Sequence, residues 1–289
     1  MPRVSSGSVH LIQMLNMLEE FPIKDMGFGS ADSIHILAEV MKRAYADRSK
    51  HLGDMDFYDV PFSLMSKGYA SLLNKSISVN SRTASKNVFA GDPYPYESPD
   101  TTHFSVMDQY GNVVSNTYTL NFSYGSGIMI PGTGMLMNNE MDDFSSKPCV
   151  PNGYGLLGSE ANSIESNKRP LSSMTPTIIF KDDKPYLVLG SPGGSRIITT
   201  VLQVALNVME HGMNVAQAVN SPRIHHQWLP ETLMIEKGFG PDTEKLLQEK
   251  GYRLYPSSTM GSVQAILKDG EYFYGAADPR RPGSGAVAP

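Results

Sequence analysis

Thiol chemistry is nearly absent from this sequence, which holds one cysteine, Cys149, in 289 residues. A single thiol excludes an internal disulfide framework. Cys149 sits between Pro148 and Val150 in a polar stretch and carries no local signature of a reactive nucleophile. Blocks of basic residues are also missing: 24 Lys and Arg stand against 29 Asp and Glu, for a net charge of -5. That balance speaks against a phosphate-backbone partner, so no nucleic acid is expected. The N-terminal MPRVSSGSVHLIQMLNML has one Arg and a short apolar run broken by His10, Gln13 and Asn16. It reads as neither a signal peptide nor a membrane span. The chain has no internal repeat and no low-complexity tract.

What is present is an ordinary globular balance, 40% hydrophobic and 18% charged, in a chain long enough to bury a large core. In 9–20 and again in 30–50, apolar residues recur at helical spacing, so that Ile34, Leu37, Ala38, Met41 and Tyr45 share one face. The first hundred residues therefore read as mostly helical. Residues 81–100, with Gly91, Pro93, Pro95 and Pro99, read as an exposed loop or linker. Beyond it, THFSVMD and GNVVSNTYTLNF alternate around Tyr110-Gly111-Asn112 as a hairpin. PTIIFKDDKPYLVLG repeats that pattern with its bend at 181–184. A long buried helix over SRIITTVLQVALNVMEHG should stop at Gly212, a shorter one covers DTEKLLQEKG, and SVQAILKDGEYFYGAAD forms a last hairpin. Helices and strands come in blocks without a strict βαβ rhythm. An α/β protein of the α+β type follows, a mainly antiparallel sheet layer covered by helices.

Candidate chemistry centres on Asp100-Thr101, where the Pro-rich run meets a β-rich segment. A hydroxyl is a competent nucleophile only beside a base, and a Thr at a free chain end carries that base in its own α-amine, whose pKa is near ~8. A cut before Thr101 creates such a residue. On these residues alone, a turn leading into a strand explains Asp-Thr-Thr at least as well. In TYTLN (117–121), alternation sends Thr117, Thr119 and Asn121 to one face of a strand. GSPGGS (190–195) precedes a helix and exposes backbone N–H groups, but it lacks the ending of a nucleotide-binding loop. The histidines, His10, His35, His51, His103, His211, His225 and His226, show no metal-ligand spacing and read as structural.

Taken together, DTTHFSVMDQYGN, TYTLN, LMNNEMDDFS, NKRPLSSMTPT, GSPGGSRIITTVLQ, SPRIHHQWLP, MGSVQAI and YGAADPR closely resemble γ-glutamyltranspeptidases. PRVSSGSVHLIQMLNMLEE and GFGSADSIHILAEVMKRAYADRSKHLGD look like the C-terminal part of that family's large subunit, so the resemblance covers nearly the whole chain. It implies the αββα sandwich of the N-terminal nucleophile hydrolases. It also implies a precursor that cuts itself between Asp100 and Thr101, with 1–100 belonging to the large subunit and 101–289 forming the small one, both within one domain.

The resemblance further implies a role for each motif. Thr101 is the nucleophile, Thr119 hydrogen-bonds it, and Asn121 lies beside the glutamyl group. Glu140 and Asp143 hold the donor's α-ammonium, while Ser172 and Ser173 bind its α-carboxylate. Gly193 and Gly194 form the oxyanion hole. The run 145–157 resembles the lid loop of some bacterial members, with Tyr154 reaching toward Asn121. No metal or organic cofactor is implied. The expected donor is glutathione or another γ-glutamyl compound, and the acceptor is water, an amino acid or a dipeptide. A poly-γ-glutamate or a β-lactam side chain is the alternative donor.

Family members carry a further N-terminal segment, about as long again, that supplies part of the sandwich, a secretion signal and an Arg for the donor carboxylate. No residue of this sequence can be assigned to that Arg, so the serine pair is expected to lack a cationic partner. The chain on its own is expected to be poorly active, or a non-catalytic fragment that needs the missing polypeptide. By resemblance the protein is periplasmic or secreted.

Overall fold

The computed structural model describes residues 5–91, 104–122, 124–281 and 283–288. Its N-terminal part is helical: α1 (Ser6–Leu18), a short α2 (Ile23–Met26), α3 (Ala31–His51) and α4 (Lys67–Asn74). Serines begin three of the four. The Ser5 side chain accepts from Gly7 N–H, Ser30 from Ser33 N–H at 3.0 Å and Ser66 from Tyr69 N–H at 3.2 Å. Each satisfies an amide that the first turn of a helix leaves without a partner.

α3 departs from the amphipathic helix expected from sequence. The apolar stripe Ile34, Leu37, Ala38, Met41 and Tyr45 is buried, and so are Glu39, Lys42, Arg43, Asp47 and Arg48. The helix is therefore the centre of the molecule rather than a cover on it. Three of these charges are compensated within the helix: Glu39 takes Lys42 at 2.6 Å and Arg43 at 2.7 Å. Without such pairing, several buried charges on one helix would be prohibitively costly.

The remaining elements are β1 (Ser105–Met107), β2 (Val113–Ser115), β3 (Thr177–Lys181), β4 (Lys184–Gly190), α5 (Ile197–Met209), α6 (Val215–Asn220), β5 (Ile224–His225), β6 (Leu233–Glu236), α7 (Pro241–Glu249), β7 (Leu254–Ser257), β8 (Gln264–Asp269) and β9 (Tyr272–Ala277). The main sheet is antiparallel in the order β3-β4-β8-β9. Its hairpins turn where the residues permit left-handed backbone, at Asp182 and Asp183 (φ 52° and 58°) and at Gly270 (φ 57°). The β1–β2 hairpin packs against β3, β4 and β8, with the Ser105 hydroxyl donating to the Gln264 carbonyl at 3.2 Å. A second sheet, β5-β6-β7, pairs β6 with β7 in parallel.

One hydrophobic core unites the parts. Met14 and Met17 of α1 and Ile34, Val40 and Met41 of α3 join Leu187 and Leu189 of β4 and Ile198, Val201 and Leu202 of α5 in a single buried cluster. Polar contacts cross the same boundary: His35 Nδ1 meets the Tyr252 hydroxyl at 2.8 Å, and the Tyr45 hydroxyl donates to the Ser195 carbonyl. By contrast, the segment after β2 leaves Ile128, Met129, Met135, Met137 and Met141 exposed. Among the described residues no helix is long and apolar enough to cross a membrane.

Candidate active site

The N-terminus of α1 shapes the serine segment. Ser6 donates to the Ser172 carbonyl through both its amide (2.9 Å) and its hydroxyl (2.8 Å), and the Ser5 hydroxyl donates to the Met174 carbonyl at 2.7 Å. Gly7 is obligatory here, since a Cβ would fall 2.3 Å from the Met174 carbonyl oxygen. The Ser-Ser-Gly of the first motif is thus a clamp on 172–174. Within that segment each serine oxygen is used as an acceptor, Ser172 Oγ by the Met174 amide at 3.1 Å and Ser173 Oγ by Arg48 Nη2 at 3.1 Å. Neither hydroxyl hydrogen finds an acceptor among the described residues, so both are left to donate. Arg48 corrects the expectation that the serine pair has no cationic partner: one arrives from the last turn of α3.

The acidic side is a 3₁₀ turn, Glu140–Asp143, begun by the Asn138 side chain accepting from the Glu140 amide at 2.9 Å. Glu140 Oε1 is buried with no hydrogen-bond partner among the described residues, and none of those residues hydrogen-bonds the Asp143 carboxylate. Burial pushes the Asp143 carboxyl up to about 7; Arg48 pulls it down, while Glu140 and Asp142 push it further up. Burial also raises Glu140. Asn162 fixes this turn relative to the serines: its side chain donates to the Asp143 carbonyl at 2.7 Å and accepts from the Leu171 amide at 3.0 Å.

The 117–121 stretch corrects a second expectation. β2 ends at Ser115, and Thr117, Thr119 and Asn121 do not share a strand face: Thr117 is buried, Thr119 exposed, and Asn121 lies at φ 72°. The cause is local. Thr119 Oγ1 accepts from the Asn121 amide at 2.7 Å, and Asn139 captures the turn, its carbonyl taking Asn121 Nδ2 at 3.1 Å and its side chain the Phe122 amide at 2.9 Å. Side-chain bonds of this kind compete with a ladder and win where no neighbouring strand is supplied.

The glycine loop between β4 and α5 puts Gly193 at φ 143° and Gly194 at φ 58°. The amides of both find no acceptor among the described residues. The run 145–158 folds over this loop. The Cys149 amide donates to the Gly158 carbonyl at 3.0 Å, and the Asn152 side chain accepts the amides of Tyr154 and Leu156 at 3.0 Å each. Tyr154 then enters the site: its hydroxyl donates to the Asn121 carbonyl at 2.7 Å, and its ring covers Gly194, where a Cβ would fall 2.3 Å from Tyr154 Cε1. Burial, then Asp143, Glu140 and Asp142, raise the Tyr154 phenol to about 12, so it remains a donor. Gln227 anchors the run from beneath, donating to the Tyr154 carbonyl at 3.1 Å and accepting from the Ser195 hydroxyl at 2.9 Å.

The structure therefore brings Asn121, Glu140, Asp143, Tyr154, Ser172, Ser173, Gly193 and Gly194 into one connected set. Thr119 joins it through Asn121. Asp100 and Thr101 lie outside the described residues, as does His103. The histidines His10, His35, His51, His225 and His226 are buried, and bond to Gln13, Tyr252, Gly91, Thr199 and Trp228 respectively. Arg48, Asn162 and Gln227 escaped the sequence reading. Arg48 and Gln227 sit in segments recognised for another reason, Asn162 lies between two motifs, and no spacing rule links a residue to partners between 9 and 125 positions away.

The gamma-glutamyltranspeptidase family profile matches residues 1–288. The glutathione hydrolase proenzyme of Escherichia coli (strain K12) is 56% identical over 283 residues, covering 97% of this chain and 49% of that protein. A mutant of the Helicobacter pylori gamma-glutamyltranspeptidase is 56% identical, with a TM-score of 0.61 over 63% of this chain and 100% of that one. The cephalosporin acylase from Bacillus halodurans is 24% identical, with a TM-score of 0.81 over 97% of this chain and 49% of that one. The last likeness speaks to fold alone, and the αββα sandwich anticipated from the sequence is that fold. The chain spans about half the length of the curated relatives it matches.

Proposed function

Because this chain belongs to the gamma-glutamyltranspeptidase family, we propose that it carries the γ-glutamyl-transfer site of an enzyme that hydrolyses glutathione and related donors or passes their γ-glutamyl group to an acceptor. The observation that carries this reading is the pairing of opposite demands in one site. Two half-buried carboxyls, Glu140 and Asp143, have no hydrogen-bond partner among the described residues, and two serine hydroxyls beside a buried guanidinium have hydrogens to donate. A carboxylate pair calls for an ammonium, and clustered donors call for a carboxylate. The α-carbon of a glutamyl group presents both. A donor without that zwitterionic end, such as the side chain of a β-lactam, leaves the acidic pair unanswered.

In the proposed reaction the chain is cut between Asp100 and Thr101, dividing 1–100 from 101–289 within one domain. Thr101 Oγ attacks the γ-carbonyl, the Thr101 amine takes the proton and returns it to the leaving amine, and a γ-glutamyl ester remains on Thr101. The amides of Gly193 and Gly194 receive the developing oxyanion, a contribution worth about a hundredfold or more in rate per donor. Thr119 orients the nucleophile through its hydroxyl, Asn121 lines the glutamyl group, and Tyr154 with 145–158 covers it. Water, an amino acid or a dipeptide then releases the acyl group. A further N-terminal polypeptide completes the sandwich. By likeness to its bacterial relatives the protein works in the periplasm or outside the cell.

The deciding experiment is N-terminal sequencing of the smaller fragment of the complete protein, with its further N-terminal polypeptide, together with turnover of γ-glutamyl-p-nitroanilide. Cleavage should begin at Thr101, and Thr101→Ala should leave one uncut, inactive chain. A fragment starting elsewhere removes Thr101 as nucleophile; a correctly cut protein without turnover removes the substrate class.

A further inference from the structure

Arg48 is the unexplained charge of the site. Its residue is only 5% exposed, yet no carboxylate forms an ion pair with it among the described residues. Its partners are neutral: Ser6 Oγ from Nε at 3.1 Å, Ser173 Oγ from Nη2 at 3.1 Å and the Leu171 carbonyl from Nη2 at 3.4 Å. The other buried cations behave differently, with Lys42 and Arg43 on Glu39 and Arg223 on Asp278 at 2.7 Å. Burying a guanidinium against neutral acceptors alone is costly, so an anion brought into the site would meet an uncompensated positive charge.

The geometry says how it meets one. A hydroxyl has one hydrogen and two lone pairs. By donating to Ser173 Oγ, Arg48 occupies a lone pair, turns the Ser173 hydrogen away from itself and polarises it. Ser6 holds the guanidinium in that pose, because its own hydroxyl hydrogen is committed to the Ser172 carbonyl at 2.8 Å and only its lone pair faces Arg48. Leu171 fixes the far end. We propose that Arg48 is a positioning residue for carboxylate recognition, acting through Ser173 to make it a charge-assisted donor to the α-carboxylate of the γ-glutamyl donor. The inference rests on the reading of the site given above and adds to it a residue in the part of the chain before Thr101. Arg48 also faces Tyr45, His10 and Asp143, of which Asp143 alone is an acid at neutral pH, so the same guanidinium favours the charged form of the ammonium-binding carboxylate across the site.

The test uses the complete, processed protein and two chromogenic donors, γ-glutamyl-p-nitroanilide and 4-aminobutyryl-p-nitroanilide, which keeps an amine and lacks the α-carboxylate. Arg48→Met should raise the KM of the first roughly 10- to 100-fold with kcat within about threefold, the loss expected of one charge-assisted contact. Both donors meet Asp143 through their amines, and Asp143 loses the support of Arg48 for its charged form, so the second donor should lose some kcat/KM but much less than the first, and discrimination between the two collapses. Ser173→Ala should do the same, and the double variant should be little worse than either single one, since both remove one pathway. If Arg48→Met does not fold, Arg48→Lys, which keeps the charge and loses the fork, should raise the glutamyl KM about three- to tenfold at an unchanged thermal midpoint. Equal losses on both donors, or losses that multiply in the double variant, overturn the proposal and leave Arg48 structural. Absence of turnover by the unaltered protein is a different failure: it overturns the reading of the site, and the role of Arg48 with it.

Discussion

The Tyr154 hydroxyl donates to the main-chain carbonyl of Asn121 at 2.7 Å, tying the tip of the 145–158 run to the loop that follows β2. The edge-to-face contact of Tyr154 with Phe122, centroids 5.3 Å apart, reinforces the same closure. Tyr154→Phe keeps the ring and removes one neutral hydrogen bond, worth about 0.5–1.5 kcal/mol. The donor KM should rise roughly two- to tenfold, and limited proteolysis within 145–158 should accelerate. Unchanged cleavage and unchanged KM would show that the phenol does not hold the run shut.

Gly194 and Gly212 offer a matched pair of substitutions. Both lie in the left-handed region, at φ 58° and 63°, so alanine strains either by about 1 kcal/mol. Only Gly194 also meets an obstacle, the Tyr154 ring at 2.3 Å from the added carbon; Gly212 has nothing within 4 Å. Gly194→Ala should lower kcat by roughly a hundredfold, as displaced oxyanion donors do. Gly212→Ala should reduce stability alone. Equal kinetic effects of the two would remove the argument from the Tyr154 contact.

Asp143 sets a pH dependence with two readouts. Burial lifts its carboxyl to about 7, and an ammonium is held only by the ionised form. The donor KM should therefore fall as pH rises through about 7, and Asp143→Asn should flatten that change while leaving cleavage before Thr101 intact. Stability runs the other way. A carboxyl raised above its unfolded value of about 3.9 binds more protons in the folded state between those two pH values, so the fold loses stability as pH rises through that window. Asp143→Asn should melt higher than the unaltered protein at pH 8 and no higher near pH 4. A variant that melts lower at both shows that the carboxylate is structural.

Arg169 grips Asp54 with three donors: its amide at 2.9 Å, Nε at 2.8 Å and Nη2 at 2.6 Å. Burial alone would lift the Asp54 carboxyl, but the hydrogen bonds from Arg169 outweigh it and hold the carboxyl below the usual range. The stabilisation is present above the unfolded value near 3.9 and is lost as pH falls through the lower folded one. Asp54→Ala should cost about 2–3 kcal/mol in urea unfolding at pH 7, less than a fully buried pair because Arg169 reaches solvent. The gap between variant and unaltered protein should close in strong acid. A constant gap would assign the loss to packing.

Much of this architecture was legible because local chemistry and the final fold agree. The bend at Asp182-Asp183, the stop at Gly212 and the Asn112 turn, where Asp108 Oδ1 accepts from the Tyr110 and Asn112 amides at 2.9 Å each, all follow from residues a few positions apart. The glycine loop was legible for the same reason. What was not legible is non-local or competitive. The alternation of Thr117, Thr119 and Asn121 reads as a strand, yet Asn139, 18 positions on, supplies a better partner than any ladder. β6 pairs with β7 in parallel across an intervening helix, a pairing that no hairpin signal announces. Arg48 looks in sequence like the solvated end of a helix, and only packing against Ser6 and Leu171 puts it under Ser173.

The core that joins Met14, Ile34 and Met41 to Leu189, Val201 and Leu202 straddles the bond before Thr101. A cut there would break none of these core contacts, all of which lie among the described residues. The unfolded state changes instead. Two separated pieces must find each other to rebuild one interior, and the recovery of structure becomes second order in protein, governed by mass action rather than by a chain's own reach. A protein cut in this way behaves, once melted, like an obligate heterodimer at vanishing concentration. Its lifetime is then set by how slowly it opens rather than by how readily it closes again.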